Sequence, residues 1–512
     1  MEDKPKAVEA TSEKIDALSI ESGRQEAEHV IVSAHVVDKD SWQQVGLLMV
    51  TGFNCAYVLS FSNLMLAPLG WAWGLTGLAV VGAFAFYAKW LLAEFQVIDG
   101  NRLIRYRDIM GYVFGKKLYY ITWILQFVTF LHVNMGFVLL GGRALKEINS
   151  EFSSTPVRLQ VFITITGGAY FIFANLVPTM SAMRNWLPTS AILIIIFDVI
   201  LLAILVQDGR ANKNKDYNIS GTKADKFFNA FGAIAAILVC NTSGLLPEIQ
   251  STLRKPAVSN MRKALSVQFT FGLAIYYGVS ILGYWAYGSL VSNYLPKELS
   301  GPKWAKVLIN SAAFLQSIIS QHMFIQPIYE GLDTKFLSLE KSTFSRANLV
   351  RRFLLRALVL GMNTFIAALF PYMGDFVNLF RSFSLFPLTF VFPSMIWIKV
   401  KGKSASRGEK AWHCAIIVIS SLLSVITTAA ATRLIINNAR KKKKNTRRND
   451  SKLERNCFAG ELDSEDFEGG DWQAPTAERG RRLASSKVDD FGGGGTTGGD
   501  GEGDAARPWL SE

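Results

Sequence analysis

The sequence predicts an all-α polytopic membrane protein of about eleven transmembrane helices, arranged as two inverted repeats of five with broken helices 1 and 6. Three observations predict it. Half of the 512 residues are hydrophobic, 35 of them Phe, and between Gln43 and Ile436 apolar windows long enough to cross a bilayer recur. Charge is confined to the two ends and to short connectors. The first and sixth windows are each interrupted near the middle by an Asn followed by small residues.

The apolar windows fall at 43–66, 73–97, 118–141, 159–179, 186–207, 227–252, 264–288, 304–326, 352–370, 376–398 and 411–436. The second carries Lys89 and Glu94, five residues apart and poorly placed to share a helix face, so both read as structural. Residues 1–41 contain 10 Asp/Glu against 5 Lys/Arg and no apolar core. They are expected to be a disordered cytosolic arm rather than a cleavable signal. Residues 42–438 make the transmembrane domain. The remainder, 439–512, begins with RKKKKNTRR (440–448), turns Gly- and Asp-rich, and reads as a disordered polar tail.

Connector charge sets the expected orientation. With the N-terminus cytosolic, the inner connectors, Arg352 included, hold 25 Lys and Arg and the outer ones, Lys306 included, hold 11, the bias that cytosolic loops show. The basic run after the last window opposes an outside C-terminus. Asn218-Ile219-Ser220 is a glycosylation acceptor pattern on the outer side. The net charge of +13 follows from the membrane connectors, so no nucleic-acid partner is expected. Cys55, Cys240, Cys414 and Cys457 form no disulfide framework, and no Cys/His spacing suggests a metal or other cofactor. Neither a phosphate-binding loop nor a Gly-x-Ser-x-Gly motif is present, so ATP-driven transport and hydrolysis have no support.

The interruptions carry the functional reading. Backbone polar groups in hydrocarbon need partners, so unwound chain survives at membrane depth only beside protein or a cavity. Window six reads VCNTSGLLPEIQ at 239–250, and window one has TGFNCA at 51–56. Corresponding interruptions in two halves point to the binding site of a secondary transporter, the LeuT-type arrangement. An uninterrupted helix with its Ser and Thr bonded back to their own carbonyls is the alternative. The outer half of helix 1 is expected to start near Ala56–Tyr57, where free N–H groups suit a carboxylate. The outer half of helix 6 is expected to end near Cys240, where free carbonyls suit an ammonium group. The cargo so described is a zwitterion. Expected contacts are Gly52, Phe53, Asn54, Ala56, Tyr57, Cys240, Asn241, Thr242, Ser243 and Gly244. Phe130 and Asn134 from helix 3 and Ser317 from helix 8 complete the lining. Aromatic faces such as Tyr57 and Phe130 would suit a quaternary ammonium.

Several segments resemble the plant amino acid/auxin permease family, in particular its proline and compatible-solute transporters. They are FNCAYVL…APLGW (53–71), YRDIMGYVFGKK (106–117), ANLVPTMSAMRNW (174–186), PEIQSTLRKP (247–256), YWAYGS (284–289) and GDFVNLF…FPLTFVFPSM (374–395). The resemblance implies a proton-coupled plasma-membrane importer of eleven spans that moves proline, glycine betaine, GABA and related solutes. A wider neutral amino acid or auxin permease is the alternative within the fold, and a channel or receptor lies outside it. The tail after Asn438 and Arg381, where the family carries a small residue, depart from the pattern.

Ionisable groups inside a membrane are expensive and therefore functional candidates. Asp198 is either a proton carrier or a satisfied polar anchor. Glu248 is either a gate or proton group or a carboxylate near a helix end. His132 and His322 are packing residues or relays. Segment 106–117 is expected to be an amphipathic helix beneath the bundle.

Overall fold

The computed structural model describes residues 38–459 apart from 62–64, 156, 214, 220, 240, 291–293, 339–344, 370–378 and 380–381. Arg381 and Cys240 therefore lie outside the described residues. The described chain is helical but for one two-stranded hairpin, β1 (Val97–Ile98) and β2 (Asn101–Arg102).

The first predicted span is two helices, α1 (Trp42–Phe53) and α2 (Ala56–Ser60). Helix α1 opens on a capping box, with Ser41 and Gln44 exchanging side-chain and backbone hydrogen bonds. Then come α3 (Gly70–Glu94), the hairpin, α4 (Tyr106–Phe114), α5 (Lys116–Ser150), α6 (Leu159–Leu176) and α7 (Leu187–Ala211). The sixth span is again divided, into α8 (Lys223–Val239) and α9 (Leu246–Ser251). Helix α10 (Ala257–Val267) passes through a π turn at Gln268–Gly272 into α11 (Leu273–Tyr287). The short α12 (Leu295–Glu298) precedes α13 (Lys303–Phe336) and α14 (Arg346–Leu369). A second π turn, Pro387–Val391, leads to α15 (Phe392–Lys401), and α16 runs from Arg407 to Ala459.

Among the described residues, eight helices are each long and apolar enough to cross a membrane. The other three predicted spans are the two divided ones and α13. The last is too polar along its length to register by composition, because Gln316, Ser317, Ser320, Gln321, His322 and Gln326 are all buried inside the bundle. Several helices outrun their apolar windows. The 35 residues of α5 span about 50 Å, more than the ~30 Å hydrocarbon core. Helix α16 also continues to Ala459, into the segment read from sequence as a disordered tail.

The surface pattern is that of a lipid-facing bundle. On α7, Ile192, Ile195 and Val199 are exposed, while Ile194, Phe197, Asp198 and Leu201 on the other side are buried. Several charges between the helices are paired. Glu94 meets Lys401 at 2.5 Å and Arg262 at 3.5 Å, the structural role expected of it. Asp333 of α13 takes a two-pronged contact from Arg356 of α14, 2.7 and 2.8 Å, with Arg352 at 4.0 Å. Segment 106–114 is the amphipathic helix the sequence predicts, with Tyr106, Ile109 and Met110 buried. It stops at Gly115, whose φ of 87° only glycine adopts without strain.

The face that carries the start of α1 is held closed by backbone. Lys39 and Asp40 donate N–H bonds to the Thr252 carbonyl, each at 2.8 Å, and Arg254 N–H returns one to Asp40 at 3.0 Å. Arg102 binds the Asp38 carboxylate at 2.5 Å. The start of α1, the hairpin and the end of α9 thus form one clasp.

The Asp333 cluster yields a stability prediction. Asp333→Asn leaves two buried guanidinium groups facing an uncharged amide. Losing one partner of a buried pair costs about 3–5 kcal/mol, so thermal unfolding of the detergent-solubilised protein should start markedly earlier. An unchanged midpoint would show that the two arginines are neutralised elsewhere.

Candidate functional site

Both divided helices come apart where the sequence places their interruptions, and both gaps open on one cavity. Helix α1 ends at Asn54 (φ −105°, ψ 40°), and Cys55 is extended before α2 begins at Ala56. In the sixth span, residues 241–245 are non-helical between α8 and α9. A cavity of about 20 Å³ lies between them, lined by Phe53, Cys55, Tyr57, Thr129, Phe130, Thr242 and Phe324, with Val58, Val133, Phe137 and Leu385 around it. Its volume has room for a single water, so the site is seen closed around itself.

Aromatic rings do the closing. Tyr57 packs on Phe61 (5.2 Å between centroids) and on Phe137 (5.1 Å), and Phe61 packs on Tyr294 (5.9 Å). Phe324 touches both Phe53 (5.6 Å) and Phe137 (5.7 Å). Behind Phe53 sits Lys89, fully buried, its Nζ 4.3 Å from the ring centroid and 3.4 Å from Gln268 Oε1.

The gaps do not offer open helix ends, as the sequence alone suggests. Gln316 Oε1 accepts the Ala56 N–H at 3.1 Å, while Gln316 Nε2 donates to the Thr51 carbonyl at 3.0 Å. One amide side chain therefore seals both sides of the first break. In the second, Asn241 satisfies the end of α8 itself. Its N–H donates to Leu238 O at 2.9 Å and its Nδ2 to Ile237 O at 3.0 Å. Gly244 N–H donates to Thr242 Oγ1 (3.2 Å), and Ser243 N–H to Thr389 Oγ1 (3.4 Å). Gln126 Nε2 donates to Gly244 O at 2.7 Å. The expectation of free N–H groups at Ala56 is corrected: in this state Gln316 occupies that position.

The predicted contacts divide into three groups. Phe53, Tyr57, Phe130 and Thr242 line the cavity. Gly52, Asn54, Ala56, Asn241, Ser243 and Gly244 shape the breaks without lining it. A side chain on Gly52 would run into Met323, and Asn54 Nδ2 turns back to Val50 O at 3.1 Å. Asn134 and Ser317 do not reach the cavity. Asn134 accepts a bond from Gln321, and Ser317 Oγ lies 2.8 Å from the hydroxyl of Tyr170, which also donates to Phe137 O. Sequence reasoning missed Cys55, Thr129, Phe137 and Phe324 as lining residues, and Gln126 and Thr389 as seals. For Thr129, Gln126 and Thr389 the available signal was a polar residue on an apolar window, but such residues recur in every window; Phe137 and Phe324 are two of 35 Phe.

Of the coupling candidates, only Glu248 is near the site. Its Oε1 accepts from Gln126 Nε2 at 2.9 Å and from the Tyr106 N–H at 3.2 Å. Asp198 is 7% exposed, and no described residue hydrogen-bonds its Oδ1; it does not line the cavity. His322 is packed against Phe173 and Tyr329 (5.4 and 6.1 Å) with Gln326 Nε2 at 3.1 Å from its Nε2. That is the surrounding of a packing residue. His132 Nδ1 lies 2.7 Å from Val128 O, its own helix.

A bundle opened by two broken helices around one small cavity is the architecture of a membrane transporter of small solutes. The family model for transmembrane amino acid transporter proteins matches residues 38–433, and the chain belongs to that family. It is 29% identical over 397 residues to GABA transporter 1 of Arabidopsis thaliana, covering 74% of this chain and 87% of the relative. It is 27% identical over 366 residues to lysine histidine transporter-like 6 of the same plant, covering 69% and 81%. Among solved structures, MhsT in complex with L-phenylalanine superposes with a TM-score of 0.51 at 11% identity, over 78% of this chain and all of that one. A manganese transporter mutant of Eremococcus coleocola gives 0.51 at 12% identity over 79% and 91%. These likenesses carry the fold, the LeuT-type one, and the family makes the chain a transporter rather than an enzyme.

Gln316 generates the test of the seal. Gln316→Leu leaves the Ala56 N–H and Thr51 C=O without their amide partner, at about 1–3 kcal/mol for each buried group. Thermal stability should fall accordingly, and solute uptake per molecule at the surface should drop at least tenfold. Gln316→Glu, which keeps the acceptor, should be milder. If Gln316→Leu transports and unfolds like the parent, the amide is not what holds the break.

Proposed function

We propose that this protein is a proton-coupled symporter of proline and related zwitterions, such as glycine betaine and GABA, at the plasma membrane, with its N-terminus cytosolic. The observation that carries the reading is the meeting of both helix breaks at one aromatic-walled cavity. The Ala56 N–H is the natural partner of a carboxylate, which would take the place of Gln316 Oε1. The carbonyls at the end of α8, now held by Asn241, are the natural partners of an ammonium group. Tyr57, Phe130 and Phe324 supply faces for the apolar or quaternary part of the cargo. The relative named a GABA transporter and the sequence resemblance to compatible-solute carriers support a small zwitterion.

Coupling to protons needs an ionisable group shielded from water. Glu248 and Asp198, both buried with one carboxylate oxygen lacking a hydrogen bond from a described residue, are the groups we propose, Glu248 first because it touches the second break. His322 ranks behind them, since its surroundings are those of packing. One proton moved through 100 mV supplies about 2.3 kcal/mol. At about 1.4 kcal/mol per decade this gives roughly 50-fold accumulation before any pH gradient. A general neutral amino acid or auxin permease is the second reading; the similarity to a relative named for lysine and histidine favours a cargo range wider than proline and betaine.

The experiment is uptake of labelled proline in yeast lacking its own permeases, with a competing panel of solutes. The parent should concentrate proline uphill and stop when a protonophore is added. At least one of Glu248→Gln and Asp198→Asn should abolish accumulation driven by pH while still reaching the surface. Downhill flux insensitive to the protonophore would reject coupling, and competition by bulky neutral amino acids equal to that by betaine would favour the broader permease.

A further inference from the structure

A second cavity, about 10 Å³, lies on the side of Phe130 toward the face that carries the start of α1. Arg105, Arg107, Trp123, Gln126, Phe127, Glu248 and Glu330 line it, with Phe130 shared between it and the central cavity. Two of these groups are incompletely satisfied. Glu248 is 3% exposed, and its Oε2 takes no hydrogen bond from a described residue. Arg107 is 8% exposed and forms no ion pair or hydrogen bond with a described residue, its Nε included. Its guanidinium instead sits among aromatic rings, 5.9 Å from the Tyr119 centroid and 5.8 Å from that of Trp123.

Opposite charges lining one buried cavity would ordinarily bind one another, because a buried charge without a partner is costly. Here the two side chains form neither an ion pair nor a hydrogen bond with each other. Their neighbours are otherwise engaged: Arg105 donates to Thr334 Oγ1 at 3.2 Å, and Glu330 has contacts of its own. The cavity thus presents one acceptor for an ammonium and one set of donors for a carboxylate.

We infer that this cavity is a second subsite for a zwitterionic solute, a release station in which Arg107 holds the carboxylate and Glu248 the ammonium group. Phe130 is the partition between the two sites, and rotation of its ring joins them. The inference rests on the proposed transport of zwitterions and adds a stopping point on the route out. Because the station lies beyond the partition, it weighs on solute approaching from the start-of-α1 face and little on solute approaching from the other.

The test measures half-saturation for proline separately from each face, in membrane vesicles of both orientations carrying the full chain. Arg107→Gln should raise the value at the start-of-α1 face about tenfold and move the other less than twofold. Arg107→Lys, which keeps a charge but not the planar fork, should recover part of the difference, and this rescue separates loss of the site from loss of the fold. Equal changes at both faces, or none at either, overturn the release station while the transport reading stands. A parent that moves neither proline nor any other zwitterion overturns both.

Discussion

The structure depends on one constraint: a peptide group inside hydrocarbon cannot be left without a partner. Two helices come apart in the middle of this bundle, and each gap exposes donors and acceptors that an intact helix would have paired. The bundle meets that demand with side chains. Gln316 spans the first gap, donating on one side and accepting on the other. Asn241, Thr242, Thr389 and Gln126 share the second. On the polar face of α13, Gln316 and Ser320 are the two residues that turn to the Thr51 carbonyl at the first gap.

The same constraint makes the site switchable. A side-chain amide is a neutral donor–acceptor pair, and a zwitterion carries a charged acceptor and a charged donor of similar reach. Charged partners form stronger hydrogen bonds than neutral ones, so on the proposed reading cargo would displace Gln316 and Asn241 without leaving backbone groups bare. Around this exchange the two faces differ in kind. One is roofed by rings packed edge-on and tilted, Tyr57, Phe61 and Tyr294. The other is tied by backbone bonds and the Arg102–Asp38 ion pair.

Much of the architecture was legible in the sequence. Apolar windows gave the helices, and the paired interruptions at 51–56 and 241–245 gave the breaks to within a residue or two, because a run of small polar residues is costly in hydrocarbon unless protein surrounds it. Helix ends were less legible. Helices such as α5 continue beyond the bilayer, and hydropathy reports only where lipid is. The lining of the site was only partly legible. Phe53, Tyr57, Phe130 and Thr242 sit beside the breaks in sequence or on a neighbouring span. Asn134 and Ser317 were one helical face away from the cavity, turned toward Gln321 and Tyr170. A register error of one residue on a helix turns a side chain by about 100°, and apolar spans with polar residues on several faces do not fix it. Gln316 is one of several polar residues on α13, and its two-sided role depends on a contact 260 residues away.

The central claim, that cargo sits between the two breaks, has a native reporter. Cys55 lies within the first break, lines the cavity and carries no disulfide. In a protein retaining Cys55 alone, with Cys240, Cys414 and Cys457 replaced by Ser, the rate of modification by a small hydrophilic thiol reagent reports access to the cavity. Saturating proline should slow that rate several-fold, with half-protection at the concentration that half-saturates uptake. A rate unmoved by solute that the protein demonstrably transports would place the cargo elsewhere.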